Sequence, residues 1–272
     1  MGLRTERDWR GYDEVAETYE RVHATRTAEV AADLVELSRP PEGGRVLDVG
    51  AGTGSSTEAG QKAVGPQGVV VGVDPALGML GVAVRVRPDL RFAAAEAIDL
   101  PFKDAGFDAV IANFVLSHFT KYETALYDML RVLKPGGRLA ASSWSEREDE
   151  FQRTWRELVE GVTTHELLQD AHDRAMPWEE RFRDPARLEE TLRGAGLHPV
   201  TVQRREYRFR LSRDDYVAGR ETTASGRFLH DMLGDEEFRS FGERARRLFA
   251  ERFPDVITDF RDVLLAVGTK PA

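Results

Sequence analysis

The sequence predicts an α/β protein: a doubly wound, mostly parallel sheet with helices on both faces, an antiparallel last strand and helical insertions over the strand ends. Three observations carry that expectation. Between residues 45 and 143, apolar strand-like runs alternate with helical segments, and a parallel sheet covered on both faces is the economical way to bury such a series. The run Arg45-Val46-Leu47-Asp48-Val49 breaks into Gly50-Ala51-Gly52-Thr53-Gly54 before Ser55, which reads as a buried strand, a tight turn and a helix start. Two further apolar runs, residues 68–73 and 91–95, end in the carboxylates Asp74 and Glu96.

The bulk properties narrow the function. The chain has 272 residues, 41% of them hydrophobic, enough for one large domain, 1–272, with substantial insertions. A formal net charge of -9 disfavours a nucleic-acid partner, because too few Lys and Arg are in excess to replace the counterions of a phosphate backbone. There is no cysteine, so disulfides, thiolate metal sites and thiol nucleophiles are excluded, and no metal centre is expected. Residues 1–8 lack the apolar core of a signal peptide, and no run approaches the roughly 20 apolar residues of a membrane span. The expectation is a soluble cytoplasmic protein with no membrane partner.

In chain order, Trp9, Tyr12, Val15, Ala16, Tyr19 and Val22, then Val30, Leu34 and Leu37, recur at helical spacing and predict two amphipathic helices over 9–38. Pro40-Pro41-Glu42-Gly43-Gly44 breaks the second before the first strand. In the turn after that strand, one glycine permits the sharp bend and another lets backbone approach a ligand closely. The spacing is G-x-G-x-G; Ser55 stands where the dinucleotide pattern G-x-G-x-x-G has its last glycine. A pyrophosphate draws on free N–H groups at a helix N-terminus, whereas a ligand without phosphates needs shape and carboxylate partners. Asp74, twenty positions after Gly54, falls at the end of a neighbouring strand, where it can accept two ribose hydroxyls. With Glu96 at the next strand end, the three units describe a nucleoside pocket. Met79, on the helix after Asp74-Pro75, can lie against an adenine ring or fill core. The fourth strand is 107–113, and the helix ending near Leu133 is stopped by a Pro135-Gly136-Gly137 turn before a fifth strand at 138–143.

Residues 144–183 abandon the strand-helix rhythm and hold Trp144, Phe151, Trp155, His165, Trp178 and Phe182 among many charges. That length exceeds an ordinary loop and reads as a helical insertion. Its aromatics either line an acceptor cavity or form a small core of their own. A helix capped by Asp184 and ended at Gly194 or Gly196, a strand at 199–211, a second helical insertion at 212–254 and a closing strand at 259–269 complete the chain. A last strand returning beside its predecessor is antiparallel to the rest.

Taken in order, Val46 to Gly54, Gly72-Val73-Asp74-Pro75 with Met79-Leu80, Glu96-Ala97 before Leu100-Pro101-Phe102, Phe107-Asp108-Ala109-Val110, and Arg131-Val132-Leu133-Lys134-Pro135-Gly136-Gly137 carry a family resemblance. The chain resembles the class I S-adenosylmethionine (SAM)-dependent methyltransferases, of the small-molecule type similar to the quinone-biosynthesis enzymes. These pieces span roughly residues 10 to 145, and their joint occurrence, more than any single one, is specific. The resemblance implies a Rossmann-like, seven-stranded sheet, SAM (S-adenosyl-L-methionine) as cofactor and a small organic acceptor, a secondary metabolite or quinone-like molecule. It implies that Gly50, Ala51, Gly52, Thr53 and Gly54 approach the cofactor, that Asp48 serves its methionine amino end or the loop's own N–H groups, and that Asp74 with Pro75 takes the ribose. Met79, Glu96 and Ala97 then face adenine, and the main chain at Asn113 and Phe114 the methionine part. The segment from Tyr12 to Tyr19 closes over the cofactor and forms part of the acceptor pocket, with His23, Trp144, Trp178 and Phe182 as further acceptor contacts. Glu96 departs from the family, which mostly has Asp there.

Methyl transfer from a sulfonium is an in-line displacement with a good leaving group, so positioning at about 3 Å does much of the work and neither a protein nucleophile nor a metal is required. For a hydroxyl or acidic-carbon acceptor a general base helps, and His118 is the first candidate, followed by His23 or Tyr19. O-, N- and C-methylation stay open. The rivals are a nicotinamide-dependent oxidoreductase, opposed by the glycine spacing and the 133–137 turn, and a cyclase or binding protein that keeps the fold without transferring methyl. An RNA methyltransferase is opposed by the charge and by Asn113-Phe114-Val115-Leu116, which is not an Asn/Asp-Pro-Pro-aromatic motif.

Overall fold

The computed structural model describes residues 11–145 and 149–272; Trp9, expected in the first helix, lies outside them. One helix, α1 (Ala16–Ser38), replaces the expected pair. Residues 23–29, between the two apolar clusters, contain no Gly or Pro, so nothing interrupts the backbone ladder. The helix stops at Arg39, which takes a left-handed conformation (φ 46°) and donates its N–H to the carbonyls of Val35 and Glu36.

The alternating series comes next: β1 (Arg45–Val49), α2 (Ser55–Val64), β2 (Val69–Asp74), α3 (Leu77–Val86), β3 (Arg91–Ala94), β4 (Phe107–Ala112), α4 (Tyr122–Val132) and β5 (Leu133–Trp144). The first insertion forms α5 (Glu150–Glu160), α6 (His165–Ala175) and the single turn α7 (Glu179–Phe182). After α8 (Pro185–Gly194), capped by Asp184 as its sequence predicts, come β6 (Val200–Ser212), three helices, α9 (Arg213–Glu221), α10 (Ala224–Leu233) and α11 (Asp235–Arg252), and finally β7 (Val256–Thr269).

The seven strands form one sheet in the order β3-β2-β1-β4-β5-β7-β6. Strands β1 to β5 pair in parallel, and β7 runs antiparallel to both β5 and β6, as expected. Strand order reverses between β1 and β4, and in such sheets ligands bind in the crevice outside the strands' carboxyl ends at that point. The Pro135-Gly136-Gly137 turn is absorbed into β5 as a bulge. Pairing jumps from Phe107 with Leu133 to Ala109 with Arg138, so two steps along β4 face five along β5. Gly136, at φ 77°, donates its N–H to Lys270 O.

Residue alternation along β1 splits its side chains between the two faces. Leu47 and Val49 join Leu126, Met129, Leu188 and Leu192 beneath α4 and α8, while Val46 joins Val30, Leu34 and Val35 of α1 on the other face. The insertions pack against one another around a third core of Trp155, Val159, Tyr216, Phe241, Phe249 and Ile257. Burying such aromatics contributes about 1.5–3 kcal/mol each, which holds the helical layer over the strand ends.

Candidate functional site

The glycine turn after β1 divides its three jobs unequally. At Gly50 (φ 73°) an added Cβ meets Val115 Cγ2 at 2.4 Å, and at Gly54 (φ 99°) it meets Phe92 Cζ at 2.7 Å. Gly52 (φ 54°) has only Met79 Cε near, at 3.9 Å, so its missing side chain alone leaves open space. The turn's own donors are engaged within the protein. Gly50 and Ala51 donate to Val73 O at 2.9 and 3.0 Å, and Gly54 donates to Ala51 O at 2.8 Å. Gly52 N–H and Ala76 N–H donate to the two carboxylate oxygens of Asp74, each at 2.8 Å.

A cavity of about 200 Å³ opens in front of this turn, at the carboxyl ends of β1, β2 and β4. Gly50, Gly52, Asp74, Pro75, Met79, Glu96 and Ala97 line one side; Asn113, Phe114, His118 and Tyr19 line the other. Ala51, Thr53 and Gly54 are not in its wall; of the turn, Gly50 and Gly52 alone line the cavity. Asp48 is also absent from it. Its side chain lies wholly buried under the turn, where Thr57 Oγ1 donates to Oδ2 at 2.7 Å and Oδ1 has no partner among the described residues. Asp48 therefore holds the start of α2, not the loop N–H groups. Burial pushes its carboxyl up to about 7, with the neighbouring Asp74 adding to the shift against the Thr57 hydrogen bond. Burial likewise pushes Asp74 up to about 6, against the lowering by the Ala76 and Gly52 N–H groups.

A second cavity, of about 720 Å³, adjoins the first, and Tyr12, Tyr19, Phe114 and His118 belong to both walls. His23 and Trp144 line this larger space. Trp178 and Phe182 do not. Their rings pack edge-on against Tyr122 at 4.6 and 5.3 Å in the main core, since α7 lies against α8 and the turn 116–118 instead of facing the opening. Of the two outcomes open to the insertion aromatics, the core prevails for most. Phe151, Trp155, Phe238, Phe241, Phe249 and Phe253 pack in the third core, and arginines from α1, α5, α9, α10 and β7 line the cavity.

Backbone strain marks the junction. Phe114 holds φ 57°, unusual for a residue with a side chain, and stacks on Trp144 at 4.0 Å. Its N–H donates to Ser142 Oγ at 2.8 Å, and that hydroxyl donates to Asn113 Oδ1 at 2.6 Å while Asn113 Nδ2 donates to Thr27 O at 3.2 Å. His118 Nδ1 lies 3.2 Å from Ala175 O of α6; a carbonyl only accepts, so Nδ1 donates in this contact. His23 is different. Its Nε2 donates toward Gly219 O and Thr222 Oγ1, and burial with the nearby Arg26 pushes its pKa down to about 3. Burial, reinforced by Tyr12 and Asp74, raises the Tyr19 phenol well above its ordinary value, so it stays protonated.

The segment carrying Tyr12 is fastened to α3. Asp13 Oδ1 accepts Gly78 N–H at 2.6 Å, and Glu17 takes Arg85 through both oxygens at 2.5 and 2.6 Å. Sequence reasoning missed Arg26 and Thr27 of the larger wall, and Arg174 and Ala175, which reach the smaller cavity from α6. For Arg26 a signal existed: Tyr19, His23 and Arg26 fall at helical positions i, i+4 and i+7, one face of α1.

Residues 47–141, β1 to mid-β5, match the family described as a methyltransferase domain. With the seven-stranded sheet and its antiparallel closing strand, this region is similar to the class I SAM-dependent methyltransferase domains of quinone-biosynthesis enzymes. A demethylmenaquinone methyltransferase of Renibacterium salmoninarum is 49% identical over 104 residues, covering 38% of this chain and 42% of that protein. The ubiquinone/menaquinone biosynthesis C-methyltransferase UbiE of Stutzerimonas stutzeri is 42% identical over 118 residues, 41% of this chain and 46% of its own. The match thus spans less than half the length of either relative. The crystal structure of the (4+2)-cyclase SpnF superposes with a TM-score of 0.62 over 100% of both chains at 18% identity, a likeness of fold.

Proposed function

We propose that the protein transfers a methyl group from SAM to an O, N or C atom of a small organic acceptor, a secondary metabolite or quinone-like molecule. One observation carries this reading: two cavities meet at Tyr12, Tyr19, Phe114 and His118, the smaller built from the glycine turn and Asp74, the larger under the helical insertions. Because both walls draw on α1 and the insertions, residues 1–272 act as one functional domain in this proposal.

The smaller cavity fits an aminoacyl nucleoside. Gly52 leaves room for close backbone contact, and Asp74 and Glu96 stand at successive strand ends where ribose and base would lie. A diphosphate fits poorly, since Gly50, Ala51, Gly52 and Gly54 already spend their N–H groups on Val73, Asp74 and Ala51. That disfavours the nicotinamide alternative. Met79 and Ala97 would flank adenine, and the main chain at Asn113 and Phe114 would meet the amino-acid end. When bound, the cofactor supplies an electrophilic methyl group on a sulfonium. Tyr12 and Tyr19 exclude water from the junction, and His118, which lines both cavities, receives the acceptor's proton where the acceptor is a hydroxyl or acidic carbon. His23, with its lowered basicity and committed Nε2, is the weaker candidate.

Titration of SAM into wild type and Asp74→Ala tests the cofactor site. A carboxylate accepting two hydroxyls contributes about 1.5–3 kcal/mol, so at least a tenfold loss is expected; a change within twofold removes Asp74 from the site. Label from methyl-labelled SAM appearing in a small-molecule product separates transfer from a cyclase or a binding protein of the same fold.

A further inference from the structure

The larger cavity carries charge that methyl transfer alone does not require. The chain as a whole is acidic, at -9, yet Arg26, Arg156, Arg183, Arg220, Arg227 and Arg261 line this one space, and among the described residues that line it the only carboxylate is Glu179. Glu179 is occupied by His172 and by Arg183 at 3.4 Å. Arg26 and Arg261 share a single fully buried carboxylate, Asp259, at 2.5 and 2.9 Å. Arg220 differs from both. Among the described residues its side chain makes no hydrogen bond and no ion pair: Nε is buried without a partner, and the guanidinium sits 6.0 Å from the Trp155 ring. One helical turn earlier on α9, the hydroxyl of Tyr216 is also buried without a partner.

Three guanidinium groups set against Asp259 leave two positive charges in excess, beside an unused hydroxyl. Asp149, which caps α5 near Asp259 and whose carboxyl burial raises, offsets at most one of them. A guanidinium withdrawn from water is costly unless an anion faces it, and it offers five N–H donors in a fork that matches an oxyanion. Burial indeed lowers the basicity of both Arg26 and Arg220. Neither Arg26, Arg220 nor Arg261 lines the smaller cavity, so the anion belongs to the other ligand.

We propose that the methyl acceptor carries an oxyanionic group, a carboxylate or a phosphate, which docks on Arg220 with Arg26, Arg261 and the Tyr216 hydroxyl while the acceptor atom reaches toward His118. The assignment rests on the larger cavity being the acceptor site of the proposed transferase.

The test is calorimetric titration of benzoate, phenyl phosphate and neutral benzamide into wild type, with and without saturating S-adenosylhomocysteine. At least one oxyanion is expected to bind tenfold or more tightly than benzamide, and which one prevails identifies the anion. Arg220→Met should lose at least tenfold of that affinity, Arg220→Lys should recover part of it, and Tyr216→Phe should lose several-fold, with S-adenosylhomocysteine affinity within twofold of wild type throughout. Oxyanions that bind no better than benzamide, or as well to Arg220→Met as to wild type, overturn the proposal. So does a loss confined to S-adenosylhomocysteine binding, which would assign the arginines to the cofactor's carboxylate. Failure of wild type to bind S-adenosylhomocysteine defeats the transferase reading instead, and the titrations without it still report on the oxyanion site.

Discussion

Two carboxyl groups at the glycine turn, Asp48 under it and Asp74 beside it, are shifted from their ordinary ionisation by burial, and for Asp48 the consequence is a stability that depends on pH. Folded, it titrates near 7; unfolded, near 3.8. Between those values the native state holds a proton that the unfolded chain has released, so the Asp48 contribution is most favourable below the lower value and falls as pH rises toward 7. Asp48→Asn removes that penalty while keeping an acceptor for Thr57 Oγ1. In urea unfolding, the variant's stability relative to wild type should grow between pH 4 and 7 and level off above, by on the order of a few kcal/mol. A pH-independent difference would show that Asp48 is ionised in the fold. The sequence marked Asp48 as part of the motif but not its role, because a carboxylate ending a strand looks the same whether it faces a ligand or the underside of the turn. Asp74, at the next strand end, does reach the cavity. The three glycines were equally indistinct: only the positions of Val115 and Phe92, remote in sequence, separate Gly50 and Gly54 from Gly52.

Among the elements, α1 and the strap that precedes it border both cavities, through Tyr19 and Tyr12. The strap is pinned where Asp13 caps the start of α3, and the fit is tight: a Cβ on Gly78 would lie 2.6 Å from Asp13 Cα and 2.7 Å from its carbonyl oxygen. Backbone atoms cannot swing aside as a side-chain tip can. Gly78→Ala should therefore lift Tyr12 and Tyr19 away from the junction, weakening SAM binding by about tenfold, or ~1.4 kcal/mol, while far-UV circular dichroism stays native. Undiminished affinity would mean that the strap does not contribute to holding the cofactor. Strands were the legible elements, since apolar runs bounded by glycine and acid admit few other conformations. The bulge in β5 was not, because Pro135-Gly136-Gly137 has the same local chemistry as a turn, and only pairing with β4 and Lys270 of the neighbouring chain segment keeps it within the strand. Trp178 and Phe182 were misplaced for a related reason. Aromatic residues in an insertion pack equally well into a core or around a ligand, and helix orientation, set by contacts with Tyr122, decides between them.

Across the whole molecule, the two cavities differ in origin as well as in charge. The matched residues 47–141 supply most of the smaller one, whereas the larger draws its arginines from α1 and from residues beyond 150. In sequence these arginines read as solvated surface charge, spread over five elements and the end of α7; folding gathers them into one space inside an acidic protein. Such a concentration opposes folding in the absence of an anion, since each withdrawn guanidinium loses hydration that no protein partner fully restores. Replacing the least compensated of them with an apolar side chain of similar length should consequently stabilise the ligand-free protein even as it removes the proposed acceptor site. Arg220→Met is expected to gain about 1 kcal/mol, a rise of roughly 2–4 °C in Tm by calorimetry. Millimolar phenyl phosphate or benzoate should narrow that gap by stabilising wild type alone. A variant less stable than wild type would instead make Arg220 a structural residue whose contact with Trp155 supports the third core, and the positive cavity would then have a packing origin.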